Sequence, residues 1–183
     1  MLNLSYNRLV GMERRNMDKT NIQLMFDYND WANTRVLSAC RDLSQEQLHV
    51  PMNCSFTSLM GTLAHIYGAE LFWRKRLQEN ISPEKLPTGA DFETLSELER
   101  VWEEEKARLR DFVDGLKAED LERWVEYKTT SGTEQANTLW KALVQVVFHG
   151  TQFRAEAGAV MAVMGSSPGD LDFIYFLRET DQR

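Results

Sequence analysis

The segment from Thr138 to Met164 constrains the fold most strongly, because its apolar residues cover most of the circumference of a helix. A helix that is apolar on nearly every side has to be surrounded by other elements. Gly165 and Pro168 follow the segment, and residues of these types commonly end a helix. The pattern therefore predicts a central helix that begins after Thr138 and ends near Met164. Its apolar residues are Trp140, Leu143, Val144, Val146, Val147, Phe148, Phe153, Ala157, Val160 and Met161.

Three earlier segments have the helical spacing expected of its neighbours. We expect the first helix from about Thr20 to Asp42 and the second from about Thr57 to Glu79. The third follows the capping box Thr94-x-x-Glu97 and ends near Leu116. The inward-facing residues predicted for the first helix are Leu24, Tyr28, Trp31, Val36 and Leu37.

Two small elements complete the predicted fold. Residues 124–138 alternate in character around Ser131-Gly132, which predicts a β-hairpin. Asp170 is expected to cap a short last helix with the sequence LDFIYFLRE. We therefore expect an all-α fold: an antiparallel four-helix bundle with a small β-hairpin before the fourth helix and a short C-terminal helix. Residues 1–16 show no sustained period, so we expect a loose N-terminal extension followed by one domain over residues 17–183.

Charge and composition exclude several classes of partner. The formal net charge of −7 disfavours nucleic-acid binding, which needs clustered Lys and Arg. The basic trio 74–76 and the charged run 103–110 are expected to lie in solvent at a helix end and on a helix face. No apolar run approaches the ~18 residues of a membrane span. Cys40 and Cys54 form no CxxC motif, so we expect free thiols in a reducing compartment and a cytoplasmic protein.

A polar stripe runs along the otherwise apolar fourth helix. Its members, at positions i, i+4, i+7 and i+11, are Gln145, His149, Gln152 and Glu156. At about 100° per residue they fall within one narrow sector. Polar groups on a buried helix need partners or water. The stripe therefore indicates either a polar cleft lined by His149 and Glu156, with the two glutamines beside them, or simply the wet side of the helix.

His65 lies beside the apolar stripe of the second predicted helix. Metal sites in helical bundles use side chains from facing helices, so His65 and His149 could meet. Two histidines fall short of the three protein ligands that a catalytic zinc usually has, although Glu156 or Gln152 could complete the set. The sequence contains no HExxH motif, nucleophile elbow or Gly-rich phosphate loop. Spacing alone leaves open both metal ligation and an ordinary packing role.

Four stretches of the chain resemble the DinB family, within a superfamily that includes thiol S-transferases and mycothiol-dependent isomerases. The resemblance covers most of the chain from about Met17 onward. Its most specific part is HGT-x-x-R-x-E followed by SPGDLDFI. The stretches are FDYNDWANTRVL, LAHIYGAELFW, VFHGTQFRAEAGAVM and GSSPGDLDFIYFLRE.

The resemblance implies a divalent metal, nickel or zinc, bound by three histidines. By position, two of them are His65 and His149, while the third position holds Phe153, which cannot ligate a metal. Arg154 still matches the family pattern. The implied function is metal-dependent thiol transfer or hydrolysis of a small molecule by a homodimer, with no catalytic residue assigned. The alternative is a non-catalytic small-molecule-binding or scaffold bundle with a degenerate metal site.

We predict that deleting residues 1–16 leaves the melting temperature nearly unchanged, because the apolar periodicity begins only after Met17. Thermal unfolding followed by circular dichroism measures this. A loss of several degrees on deletion would show that the extension packs on the rest of the protein.

Overall fold

The computed structural model describes residues 17–180, so the extension predicted for residues 1–16 lies outside the described residues. This part of the chain is mostly helical, with one small antiparallel sheet, as predicted. Short helical turns of the π and 3-10 types occupy Lys75–Glu79, Gly89–Asp91 and Ala118–Glu122. The helices and strands are α1 (Lys19–Cys40), α2 (Gln45–His49), α3 (Leu59–Arg74), α4 (Leu95–Gly115), β1 (Trp124–Lys128), β2 (Glu134–Thr138), α5 (Leu139–Val163) and α6 (Phe173–Thr180).

The boundaries follow local chemistry in most places. The predicted capping box is formed: Thr94 Oγ1 accepts from the Glu97 backbone N–H, and Glu97 Oε2 accepts from the Thr94 backbone N–H. The hairpin pairs Trp124 with Thr138 and Lys128 with Glu134. Its turn contains Gly132 at φ 83°, a backbone conformation that glycine adopts without a steric cost.

Two details of the boundaries differ from the prediction. The last helix starts at Phe173, and the backbone carbonyl of Asp172 accepts its first hydrogen bonds, so Asp170 lies too early to cap it. Helix α2 was expected to be loop; the side chain of Ser44 caps it, and its last residue is His49. A single helical turn of this length is too short to show a clear apolar period.

The four long helices contact one another in a ring, in the order α1, α5, α3, α4 and back to α1. Helices α3 and α5 run antiparallel, as do α1 and α4, whereas α1 and α5 run parallel, as do α3 and α4. Two of the four neighbouring pairs are thus antiparallel and two are parallel, whereas the sequence predicted an antiparallel bundle. The long segment 75–94 causes the difference, because it carries the chain back before α4 begins. The contacts that show the parallel directions are Asn33–Arg154 and Cys40–Met161, and Glu70–Trp102 and Arg74–Glu105.

Helix α1 buries only part of the face predicted for it: Tyr28 and Val36 are buried as predicted. Leu24 is 37% exposed, whereas Ile22, Phe26 and Ala32 are buried. Helix α1 contacts both α4 and α5, so one narrow apolar stripe does not describe the surface it buries. The position of the helix was predicted correctly, and its orientation only in part.

Two charged segments expected in solvent are partly buried. Arg74 and Arg76 are both buried. Arg74 forms ion pairs with Glu105 of α4 and with Glu79, and Glu105 is only 1% exposed. Arg76 donates to the backbone carbonyl of Lys128. Burial of Arg74 and Glu105 is possible because the two charges pair with each other. Arg76 has no carboxylate partner among residues 17–180, and its guanidinium lies against aromatic rings, among them those of Trp73 and Tyr127.

Polar side chains from all four long helices meet in the interior of the protein. Glu70 Oε1 accepts hydrogen bonds from the amides of Asn29 at 2.7 Å and Asn33 at 2.8 Å. Its Oε2 accepts from the indole of Trp102 at 2.7 Å. The two amide oxygens in turn accept from Nη1 of Arg154, at 2.7 and 2.8 Å. We call these five residues the interior polar network; it joins α1, α3, α4 and α5.

Burial and hydrogen bonding shift the pKa of Glu70, the carboxylic acid of this network, in opposite directions. Burial raises the pKa of Glu70, while the hydrogen bonds from Asn29, Trp102 and Asn33 act to lower it. Gly150 leaves the space that Arg154 needs, since a Cβ at this position would lie 2.6 Å from Nη1 of Arg154. The glycine of the HGT motif therefore serves the packing of the arginine.

Both cysteines in the described part of the chain are free, as predicted. Burial raises the pKa of Cys40 to about 12, so its thiol stays protonated at neutral pH. Among the helices within residues 17–180, none combines the length and the apolar character that crossing a membrane requires.

We predict that replacing Asp30 by Asn stabilises the protein at pH 8 but not at pH 4. Burial, and then the nearby charge of Glu70, raise the pKa of Asp30 to about 7, while Lys106 and Arg110 act to lower it. A raised carboxyl pKa means that stability is lost as pH rises from the unfolded value, about 4, through the folded one. The melting temperature of Asp30→Asn should exceed that of the parent by at least about 2 °C at pH 8. A difference that stays constant from pH 4 to pH 8 would contradict the assignment.

Candidate functional site

The structure brings the two predicted site histidines into direct contact. His65 lies on α3 and His149 on α5, and their Nε2 atoms are 2.9 Å apart. At this distance one imidazole donates a hydrogen bond and the other accepts it. Both rings are half-buried. The prediction that the two residues face each other is therefore correct.

Two phenylalanines enclose this histidine pair. The ring of Phe56, from the loop before α3, stacks on His65 with ring centres 3.9 Å apart. Phe153 presents its edge to both imidazoles, with ring centres 4.6 Å from His65 and 4.7 Å from His149. Phe153 is buried, so an apolar ring fills the third position of the predicted ligand set. We call His65, His149, Phe56 and Phe153 the imidazole–aromatic cluster.

Burial keeps both imidazoles of the cluster uncharged at neutral pH. It lowers the pKa of His65 to about 4, with a further lowering from His149 and an opposing effect of Glu156. Burial also lowers the pKa of His149. A neutral imidazole carries one N–H and one lone pair, which is what a hydrogen bond between two such rings requires.

The remaining members of the predicted stripe have two different environments. Gln145 and Gln152 are exposed, so they lie on the wet side of α5. Glu156 is half-buried and accepts hydrogen bonds from the backbone N–H and the hydroxyl of Ser55. These bonds hold the loop that carries Phe56 to His65. The sequence offered no signal for this role, because Ser55 and Glu156 are distant in the chain.

A cleft of about 570 Å³ leads from the surface to His65. Its wall comes from the loop before α3 and from the segment 86–90, and it includes the side chains of Phe56 and His49. Nε2 of His49 is 3.2 Å from the backbone carbonyl oxygen of Glu93. A cleft of this size accommodates a small molecule.

The donor atoms at the cluster do not match a three-histidine metal site. Two nitrogens 2.9 Å apart could both reach one ion at about 2.0–2.1 Å. The third position is occupied by Phe153, and both carboxylate oxygens of Glu156 are engaged by Ser55. Across residues 17–180, no group of three or more His, Cys, Asp or Glu side chains is arranged to hold a metal ion. The residues present therefore do not fit the metal that the resemblance implies.

Comparison with known proteins decides the family. The model described as "DinB family" matches residues 12–183. The chain belongs to the DinB family. It is also 25% identical over 166 residues to Protein DinB of Bacillus subtilis (strain 168), covering 86% of this chain and 95% of that protein.

Four of the five residues of the interior polar network belong to the part of the chain that resembles the DinB family. Asn29, Asn33, Glu70 and Arg154 all lie in the stretches that carry the family resemblance. The sequence patterns predicted no role for these residues, although Arg154 matches the family pattern. The signal was available: a polar residue within a strongly apolar helix, such as Glu70 in GAELFW, has to find a buried partner.

Proposed function

We propose that this DinB-family protein binds a small molecule at the cleft beside His65, and that it does so without a resident metal ion. In this proposal α1, α3, α4 and α5 form the bundle that holds the cleft. One observation carries the proposal: Phe153 packs against two imidazoles that are already hydrogen-bonded to each other. The two Nε2 atoms of the pair satisfy each other.

The chemistry of the cleft indicates a ligand with an apolar body and one polar group. Phe56 offers an aromatic ring beside His65, and Nδ1 of His65, which takes no part in the pair, offers one hydrogen-bond donor or acceptor. Such a combination of apolar walls with few polar groups is usual for ligand pockets. Displacement of Phe56 from its stack on His65 would open the face of the imidazole to a flat apolar group of the ligand.

A metal-dependent transferase or hydrolase is the second candidate function. The observation that favours it is the pair of neutral imidazoles with Nε2 atoms 2.9 Å apart, since metal ligation needs unprotonated nitrogens. Nickel or zinc would need a third ligand that Phe153 does not supply. Glu156 is the nearest alternative in the stripe, but it would first have to release Ser55.

We further propose that the protein acts as a cytoplasmic homodimer on a small molecule or thiol, with no nucleic-acid partner. The free thiols of Cys40 and Cys54 and the net charge of −7 support the location and the absence of nucleic acid. The family resemblance supports the dimer. Light scattering at micromolar protein concentration measures the dimer directly.

Replacing Phe153 by His is expected to create a metal site that the parent lacks. Residue 153 lies one helical turn after His149, so the new imidazole shares its face. Calorimetric titration with Ni²⁺ and Zn²⁺ should show no tight binding to the parent and about one equivalent bound to Phe153→His. We expect affinity at least tenfold above the parent and a melting temperature that metal raises. Metal-free Phe153→His should lose roughly 1–3 kcal/mol of stability.

Two further variants control this titration. Phe148→His adds an imidazole to an exposed position on the same helix and should bind no better than the parent. Adding His65→Ala to Phe153→His should remove the gained binding. If tag-free parent protein instead carries one tightly bound equivalent that His65→Ala removes, the metal-free proposal is wrong and the metal-dependent enzyme is favoured. Equal affinities for Phe153→His and Phe148→His would mean that positions 65, 149 and 153 do not form a site.

A further inference from the structure

A second cavity, of about 450 Å³, lies between α1, α5 and the segment that leads into α6. Its wall is mainly apolar, and three polar or charged side chains, Thr151, Arg154 and Asp172, also contribute to it. The apolar part of the wall comes from Met25, Tyr28, Val147, Phe148, Leu171 and Phe173.

This cavity and the imidazole–aromatic cluster lie on opposite sides of α5. Thr151 follows His149 by two positions, which corresponds to about 200° around a helix. Neither His149 nor Phe153 contributes to the wall of the cavity. A ligand held here would therefore not touch the histidine pair.

Arg154 brings an incompletely satisfied donor to the wall of this cavity. The side chain is only 1% exposed. Its Nη1 donates to Asn29 and Asn33, and its Nη2 donates to Thr151 Oγ1 at 3.1 Å. The Nε–H is buried and finds no acceptor among residues 17–180. An unpaired buried N–H is costly, so an acceptor that enters the cavity and displaces the ring of Tyr28, which lies against the guanidinium, would be favoured.

The charges around the cavity favour a neutral ligand over an anion. The positive charge of Arg154 is already balanced by Glu70 through the amides of Asn29 and Asn33. Asp172, exposed at the edge of the cavity, would repel a carboxylate. A carbonyl oxygen accepts a hydrogen bond from a guanidinium without adding a negative charge.

Exposed aromatic rings flank the cavity and indicate an apolar ligand body. Phe148 is 64% exposed and Phe173 is 40% exposed. Covering such rings removes apolar surface from water, which is favourable. Ala155, with its small side chain, leaves room between them.

We propose that this cavity binds a neutral, mainly apolar small molecule whose carbonyl oxygen accepts a hydrogen bond from the guanidinium of Arg154. The proposal does not depend on the function proposed for the cleft at His65, because the two sites share no wall residue.

Equilibrium dialysis with a neutral naphthalene ketone, 6-propionyl-2-dimethylaminonaphthalene, tests the site in the full-length protein. We expect one molecule bound per chain. Ala155→Phe, which fills the cavity from an exposed helix position, should weaken binding at least tenfold. The matched control Ala162→Phe places the same side chain two turns further along α5, outside the cavity, and should leave binding unchanged. Both variants change exposed residues, so both should remain folded.

The role of the carbonyl is tested with the 6-propyl analogue of the probe, in which a CH₂ group replaces the carbonyl. We expect this analogue to bind the parent at least tenfold more weakly than the ketone. Equal binding of the two probes would overturn the assignment of Arg154 as donor. Failure of the ketone to bind the parent, or equal binding to the parent and Ala155→Phe, would overturn the site itself. Neither result bears on the metal titration at His65, so the two proposals fail separately.

Discussion

The carboxylate of Glu70 and the guanidinium of Arg154 share the same two asparagine amides in the interior of the protein, and the packing of the long helices depends on this arrangement. Each group is costly to bury alone, so a helix that shifted would leave a charge or an amide unpaired. His65 and His149 lie five residues before Glu70 and Arg154 on the same two helices. The network that sets the register of α3 and α5 therefore also sets the positions of the two histidines.

Periodicity, turn residues and capping chemistry were sufficient to predict the long helices and the hairpin, whereas the facing of His65 and His149 was implied by the family resemblance. Periodicity and capping chemistry were insufficient for Arg74 and Glu105, which were expected in solvent and are buried as an ion pair between α3 and α4. The helical periodicity of one segment predicts that its charged residues face solvent. It cannot show that such a residue is buried, because the partner that allows its burial lies on another helix. The relative direction of the helices was not predicted for a similar reason. Segment 75–94 makes α3 and α4 parallel, and the spacing of apolar residues gives no information about the course of this segment.

At the candidate site, the sequence predicted which residue departs from the family pattern but not what surrounds it. Phe153 was recognised as the residue in the third ligand position. The stack of Phe56 on His65, and the hydrogen bonds from Ser55 to Glu156 that hold its loop, join residues distant in sequence. Because of these contacts, Phe153 is part of a packed aromatic cluster at the position where the resemblance implies a third ligand. Phe153 thus gives the site an aromatic wall where the resemblance implies a third ligand, while Arg154, the next residue, belongs to the interior polar network.

A double-mutant cycle of Glu70→Gln and Arg154→Met, measured as the free energy of unfolding in urea, tests this dependence on the interior network most directly. Each single substitution leaves one buried charge uncompensated, whereas the double substitution removes both. We expect the double variant to lose less stability than the sum of the single losses, by more than about 1 kcal/mol. Additive losses, within about 0.5 kcal/mol, would show that the two groups act independently and would contradict the central role of the network.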